Sequence, residues 1–256
     1  RPTEWPCHEF CTSGSSGQPF AVRVDNLSLS HARALMLLRA NFSGWQIGDS
    51  MLQTGMTLER GVLKHVKDKL LRTTYVSAFD LSDPVLDKYL GIIEDRDIHY
   101  IMGYPGSVYF LSCRAREVGY KKNLLGIVTW GDNLYDHYRR SIETQFGCTV
   151  TDTYGCGEGI QIAAQCTKGN YHIFMPHVAV EVVDVKGIPV PDGEPGNILL
   201  TRLDPGTMPL IRYQVGDIGR KLPNIKCSCG RGLEMLSSIE GRDTDAVITP
   251  NGNRLI

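Results

Sequence analysis

Between Ser28 and Tyr154 the chain alternates short apolar runs with longer amphipathic ones, and this alternation constrains the fold more than any other feature. Ser28 to Asn41 carries Leu29, Ala32, Leu35 and Met36 at helical spacing, with Gly44 as the stop. Glu59 to Leu71 repeats the pattern with Leu63, Val66 and Leu70. Ser82-Asp83-Pro84 predicts a helix start, with Ser82 as the cap and proline in the first turn. Val85, Leu86, Tyr89, Leu90 and Ile93 then form its buried stripe. Helices are also expected from Ser107 onward, after the turn Tyr104-Pro105-Gly106, and over Asp136 to Phe146, closed by Gly147. Ile98–Met102, Leu124–Trp130 and Val150–Tyr154 read as the intervening strands. Strands alternating with helices predict a mainly parallel sheet covered by helices on its faces.

Near residue 166 the character changes. Short β-branched runs and tight turns take over: His172–Met175, Ala179–Asp184, a Lys186-Gly187 turn, Asn197–Leu203 and Ile211–Tyr213. Two segments follow: an α/β part over 1–165 and a β-rich part over 166–240. Pro250-Asn251-Gly252 reads as a hairpin turn. The chain opens without Met and reads as a fragment.

The net charge of −1 argues against a nucleic-acid footprint, which needs a basic patch. No apolar run approaches the roughly 20 residues that span a bilayer, and the first ten residues carry no signal-peptide stretch. With eight cysteines in a chain of this length, thiols and a cytoplasmic setting are expected rather than a disulfide scaffold.

Four segments carry chemistry. Thr12-Ser13-Gly14-Ser15-Ser16-Gly17 offers hydroxyls and closely approachable backbone N–H groups, which suit phosphates, although a flexible polar linker has the same composition. Asp152-Thr153-Tyr154-Gly155-Cys156-Gly157-Glu158 follows a strand, where open α/β sheets place ligands. Tyr154 supplies an aromatic face and Glu158 a hard oxygen for Mg²⁺; an ordinary turn with a solvated Glu is the alternative. Met208 to Asp217 reads as a strand ending in Gly-Asp, whose carboxylate could accept both hydrogen bonds of a ribose diol. Gly241-Arg242-Asp243-Thr244-Asp245 is the fourth, with a charged surface turn as its alternative. A cysteine set stands beside them. Cys227, Cys229, Cys166 and His172 make up the donor set of a closed tetrahedral Zn²⁺ site, with buried free thiols as the alternative and His177 as a weaker candidate ligand.

The order of the Ser/Gly loop, Tyr-Gly-x-x-Glu, Arg-Tyr-x-x-Gly-Asp and Gly-Arg-x-x-Asp resembles the adenylate-forming acyl- and aryl-CoA ligase superfamily, in its phenylacetate–CoA ligase-like branch, over nearly the whole chain. That resemblance implies an α/β fold: the large N-terminal domain of an adenylate-forming enzyme, with a layered α/β subdomain and a smaller β-rich one. It implies ATP-dependent activation of a carboxylic acid, aromatic by the branch, as an acyl-AMP and transfer to coenzyme A. It further implies that Thr12–Gly17 hold phosphates, that Gly131 and Asp132 lie beside the adenine, that Tyr154 packs on it, and that Gly155 is nucleotide-binding. Glu158 would hold Mg²⁺, Asp217 the ribose, and Arg242 the ribose and phosphate at a hinge over 241–256 that opens a further C-terminal domain, while Tyr104, Pro105 and Ser107 would border the acid pocket. The branch has Cys/His/Cys/Cys in the same order, which implies structural zinc. The chain departs from the pattern at Gln18, where many relatives have Lys, at Thr244, where Asp or Lys is usual, and at Asp132, where Glu is usual. A zinc-stabilised ATP-binding domain without catalysis, or an adenylyl transferase with another acceptor, fits the same residues. A homodimer is compatible with the sequence, which does not determine oligomeric state.

Overall fold

The computed structural model describes residues 7–11, 20–56, 61–204, 208–242, 247–248 and 254–255. The elements in chain order begin with β1 (Cys7–Cys11), β2 (Ala21–Asp25), α1 (Asn26–Asn41), β3 (Met51–Gly55), α2 (Val62–Leu70), β4 (Thr73–Ser77) and α3 (Asp83–Asp95). They continue with β5 (Tyr100–Gly103), α4 (Pro105–Glu117), β6 (Gly126–Thr129), α5 (Asp136–Phe146), β7 (Val150–Gly155), β8 (Gln161–Gln165) and β9 (Tyr171–Ile173). The last are β10 (Val178–Val183), β11 (Pro195–Arg202), β12 (Tyr213–Lys221), β13 (Met235–Arg242), β14 (Val247–Ile248) and β15 (Arg254–Leu255). Among the described residues, no helix is long and apolar enough to cross a membrane.

Two compact units result, one formed by 38–153 and the other by 1–37 with 154–256. The change of character near 166 therefore does not coincide with the unit boundary. β8 and β9 already belong to an antiparallel sheet, and the N-terminal hairpin shares their core, so the second unit gathers both ends of the chain.

In the 38–153 unit every strand pair is parallel, in the order β4-β3-β5-β6-β7. The central strands β5 and β6 are buried on both faces, as helix-clad parallel strands must be. Alternation sorts their side chains. Leu52, Ile101, Ile127 and Val150 pack with Leu86, Leu90, Ile93, Val108, Leu111, Ile142 and Phe146 of α3, α4 and α5. Met51, Tyr100, Met102 and Val128 pack instead with Ala40 and Trp45. Each such fully buried aliphatic side chain contributes about 1.5–3 kcal/mol.

Local signals place the helix ends. Ser82 is the N-cap residue of α3, but its hydroxyl donates to Asp80 Oδ1 at 2.8 Å and accepts no N–H of the helix's first turn. α4 begins at Pro105, two residues before the expected Ser107, because proline fits the first turn without its missing N–H being needed. α5 matches its expected span and ends at Gly147, which is left-handed with φ 62°. A side-chain carbon there would lie 2.8 Å from Asn123 Oδ1. Gly147→Ala is expected to cost about 1–2 kcal/mol, mainly from the backbone conformation, read as a lower urea midpoint at unchanged slope.

In the other unit β10-β11-β12-β13-β9-β8 form an antiparallel sheet. Its core contains Ile160, Ile162, Ile173, Val178, Val180, Val182, Ile198, Leu200 and Leu236, with Val22 and Val24 of β2. Two strand expectations are corrected here. Ile211 is not in a strand: β12 starts at Tyr213, after Arg212 at φ 48°, and Gly216-Asp217 lie inside it rather than at its end. β13 is an additional strand, held between β12 and β9 by long-range pairing. β14 and β15 pair around Pro250-Asn251-Gly252, which lies outside the described residues.

Candidate functional site

Tyr154, Glu158 and Asp217, three of the residues expected near the nucleotide, converge. Tyr154 ends the buried run of β7, and Glu158 sits in the tight turn that follows, where Gly159 N–H bonds Cys156 O at 3.1 Å. Opposite them lies β12. Its register against β11 slips between Asn197 and Leu199, and Gly216 in the slipped stretch has φ 91°. Such a bulge re-aims the side chains beside it.

Two tyrosine–carboxylate hydrogen bonds then cross. Tyr154 Oη donates to Asp217 Oδ2 at 2.7 Å, and Tyr213 Oη donates to Glu158 Oε1 at 2.5 Å. Each segment thus contributes one tyrosine and one carboxylate. Glu158 is 4% exposed and Tyr154 9%. Burial, reinforced by the Asp217 charge, pushes the Tyr154 phenol well above its ordinary range, so it stays a donor. Burial and then the Glu158 charge likewise hold the Cys156 thiol protonated, which removes it as a nucleophile. Tyr213 stacks on Phe20, with centroids 5.8 Å apart and planes at 17°.

Gly155 follows Tyr154 as the last residue of β7. Arg242 lies in β13 with its backbone in register opposite Asp217. Thr12 to Gly17, along with Gln18 and Thr244, fall outside the described residues, and β1 and β2 flank that loop as paired strands.

The residues expected near the acid lie in the 38–153 unit and form a group of their own. Pro105 and Ser107 are buried in the first turn of α4. Ser107 Oγ donates to Tyr104 O at 2.9 Å, and Tyr104 N–H donates to Thr54 Oγ1 at 3.2 Å. The Tyr104 ring lies 4.5 Å from that of Trp130, and the Arg39 guanidinium stands 5.5 Å over Trp130. Arg39 is 4% exposed, and burial lowers it to about 10. Gly131 and Asp132 follow at the exposed turn, where Asp132 Oδ1 accepts the Asn133 N–H at 2.8 Å.

The cysteine set is brought together in the β-rich sheet. The ligand atoms of Cys166, His172, Cys227 and Cys229 all lie within 4.8 Å of one another. Cys166 Sγ is 3.9 Å from Cys227 Sγ, and Cys229 Sγ is 3.3 Å from His172 Nε2. A tetrahedron with zinc–sulfur bonds of about 2.3 Å has sulfur–sulfur edges of about 3.8 Å, so the donor set fits. Two similar turns present the thiols: Gly169 N–H bonds Cys166 O, and Gly230 N–H bonds Cys227 O, both at 2.9 Å. Lys168 N–H and the Asn170 side chain reach the sulfurs of Cys166 and Cys227 at 3.4 and 3.7 Å. Burial keeps His172 neutral, the state a metal needs. Burial opposes the Cys229 thiolate, yet hydrogen bonds, first from the Arg231 backbone, bring it down to about 7. All eight cysteines are free thiols. His177 belongs elsewhere: its Nδ1 is 3.5 Å from Asp204 Oδ1, and Arg202 Nε is 3.1 Å from the same oxygen.

Tyr213 and Thr54 are the functional-site neighbours that sequence reasoning passes over. Tyr213 stands in Arg-Tyr-x-x-Gly-Asp, so the motif contains it, but nothing local gives its partner.

No family model matches the chain. In sequence it is 27% identical to a phenylacetate-coenzyme A ligase of Pseudomonas putida, over 96% of this chain and 57% of that enzyme. It is 35% identical to the enzyme of the same name from Escherichia coli K12 over 43% of this chain and 25% of that one. In structure it superposes on a 2-hydroxyisobutyryl-CoA ligase bound to 2-HIB-AMP with TM-score 0.77, at 20% identity, over 97% of this chain and 54% of that one. The chain has the fold of the adenylate-forming CoA ligases. An ATP-bound MatB from Rhodopseudomonas palustris shares this ligase fold more distantly, with TM-score 0.65, 18% identity, and coverage of 96% of this chain and 50% of that one. The chain spans little more than half the length of the curated phenylacetate–CoA ligases it matches over most of its length.

Proposed function

We propose that this chain is the nucleotide- and acid-binding part of an AMP-forming acid–CoA ligase that acts on an aromatic carboxylic acid. The crossed Tyr154–Asp217 and Tyr213–Glu158 pairs support the reading, since they join the two segments whose carboxylates we read as the diol acceptor and the metal ligand. In this reading the acid carboxylate attacks the ATP α-phosphorus, the bond to the β-phosphate oxygen breaks, and pyrophosphate leaves. The thiolate of coenzyme A then attacks the acyl carbon of the adenylate and AMP departs. The chain's residues position and stabilise charge, which is the main work in such transfers.

Asp217 accepts from the ribose hydroxyls, Tyr154 packs on the adenine, and Gly155 contacts the nucleotide, with Gly131 and Asp132 as further adenine-side residues. Thr12–Gly17 hold the departing phosphates. Glu158 holds Mg²⁺, which when bound offsets the charge on those phosphates. A single buried carboxylate suits an ion that takes its other ligands from phosphate and water. Tyr104, Pro105 and Ser107 border the acid, and Arg242 in the hinge segment 241–256 contacts ribose and phosphate. Cys166, His172, Cys227 and Cys229 hold a structural Zn²⁺ that ties the Cys227 turn to β8 and β9.

The test is acid-dependent ATP–pyrophosphate exchange by the full-length protein over a panel of aryl and fatty acids. Exchange with aryl acids, lost in Glu158→Ala, is the expected result. ATP binding with no exchange for any acid would instead favour a zinc-stabilised binding domain.

A further inference from the structure

Tyr213 has no part in the chemistry described so far, yet it touches three pieces of the site. Its ring stacks on Phe20, the first described residue after the Ser/Gly loop. Its hydroxyl is bonded to Glu158, and its strand carries Asp217 beyond the bulge at Gly216. Glu158 is held by the Tyr213 phenol from β12 and by the Cys156 thiol from its own turn. It sits in a four-residue turn at 4% exposure, where water cannot solvate the charge freely. A buried carboxylate of this kind needs a donor to keep one rotamer. A phenol bonded at Oε1 supplies it and leaves Oε2 uncommitted by that bond.

We infer that Tyr213 is a positioning residue that orients Glu158 so that its second oxygen can hold the nucleotide's divalent cation. The inference rests on the reading of Glu158 as the cation carboxylate. It differs from a merely structural role in one respect. Loss of the hydroxyl should weaken the cation's contribution to nucleotide binding while leaving the nucleotide's own contacts intact.

The experiment measures ATP affinity of the full-length protein calorimetrically, once with Mn²⁺ and once with EDTA. The ratio of the two affinities is the coupling between cation and nucleotide. Tyr213→Phe removes one atom and keeps the stack on Phe20, and its melting curve checks that the fold is retained. Its coupling ratio is expected to fall about tenfold, the size of one charge-assisted hydrogen bond, with the EDTA affinity unchanged. Electron spin resonance of bound Mn²⁺ in the same samples should show a correspondingly larger free fraction. Glu158→Gln is the second arm and should lose the coupling altogether. Equal coupling in Tyr213→Phe and the parent, with loss in Glu158→Gln, overturns the role of Tyr213 alone. Parallel loss of affinity with and without Mn²⁺ in Tyr213→Phe also overturns it, because that is the signature of general structural damage. Unchanged coupling in Glu158→Gln removes the cation reading of Glu158, and the inference with it.

Discussion

Asp217→Ala is expected to raise the KM for ATP about a hundredfold in pyrophosphate exchange. Two hydrogen bonds from a ribose diol to a carboxylate contribute about 1.5 kcal/mol each at the low end of charge-assisted bonds, and together they approach a factor of 10². The site is already arranged for this load. Asp217 Oδ2 accepts from Tyr154, so the carboxylate is held in one orientation before nucleotide arrives. Ala leaves the nearly buried Tyr154 hydroxyl without that acceptor, which adds a stability cost of about 1–3 kcal/mol. The ribose assignment is separable from that cost by changing the ligand rather than the protein. The parent should discriminate strongly between ATP and its 2′,3′-dideoxy analogue, and Asp217→Ala should treat them nearly alike. If the variant keeps the parent's discrimination, Asp217 is not the ribose acceptor.

Cys227→Ser should abolish stoichiometric zinc and lower the melting temperature by about 10 °C. The side chain is buried within a cluster of Cys166, Met235, Leu222 and Cys229, and three donors remain without the fourth. A structural zinc site contributes folding free energy outright. A loss of about 3–4 kcal/mol shifts the midpoint by about 10 °C in a chain of this size. Metal analysis of the purified protein checks the first part and thermal melting with and without chelator the second. Cobalt substitution adds an optical readout, since thiolate–cobalt bands should appear in the parent and weaken in the variant. A parent that is metal-free as isolated, with a melting point indifferent to chelator, would mean that the four residues are buried thiols and a histidine.

The parallel unit was the more legible half. In α3 and α5 the stop and start residues, the apolar spacing and the flanking Ser82, Pro84 and Gly147 all agree, and the helices lie where that agreement predicts. The antiparallel unit was less so. Ile211 has the apolar look of a strand residue, but Arg212 at φ 48° breaks the chain direction, and β12 begins only at Tyr213. β13 carries Ser237, Ser238 and Glu240, so its composition alone does not mark a strand, and its pairing with β12 and β9 holds it in the sheet.

The candidate site divides along the same line. The identity and order of its residues, Tyr154, Glu158, Asp217 and the Cys/His set, are properties of the chain itself, because short motifs are tied to local turns such as Cys156–Gly159 and Cys227–Gly230. Partnership is not local. That Tyr154 bonds Asp217, that Tyr213 bonds Glu158, that His172 rather than His177 meets Cys229, and that His177 faces Asp204 all depend on strands far apart in sequence reaching a common register. A one-residue slip in β12 would turn Tyr213 and Asp217 to the other face, and only the packed sheet, with its bulge at Gly216, decides which way they point.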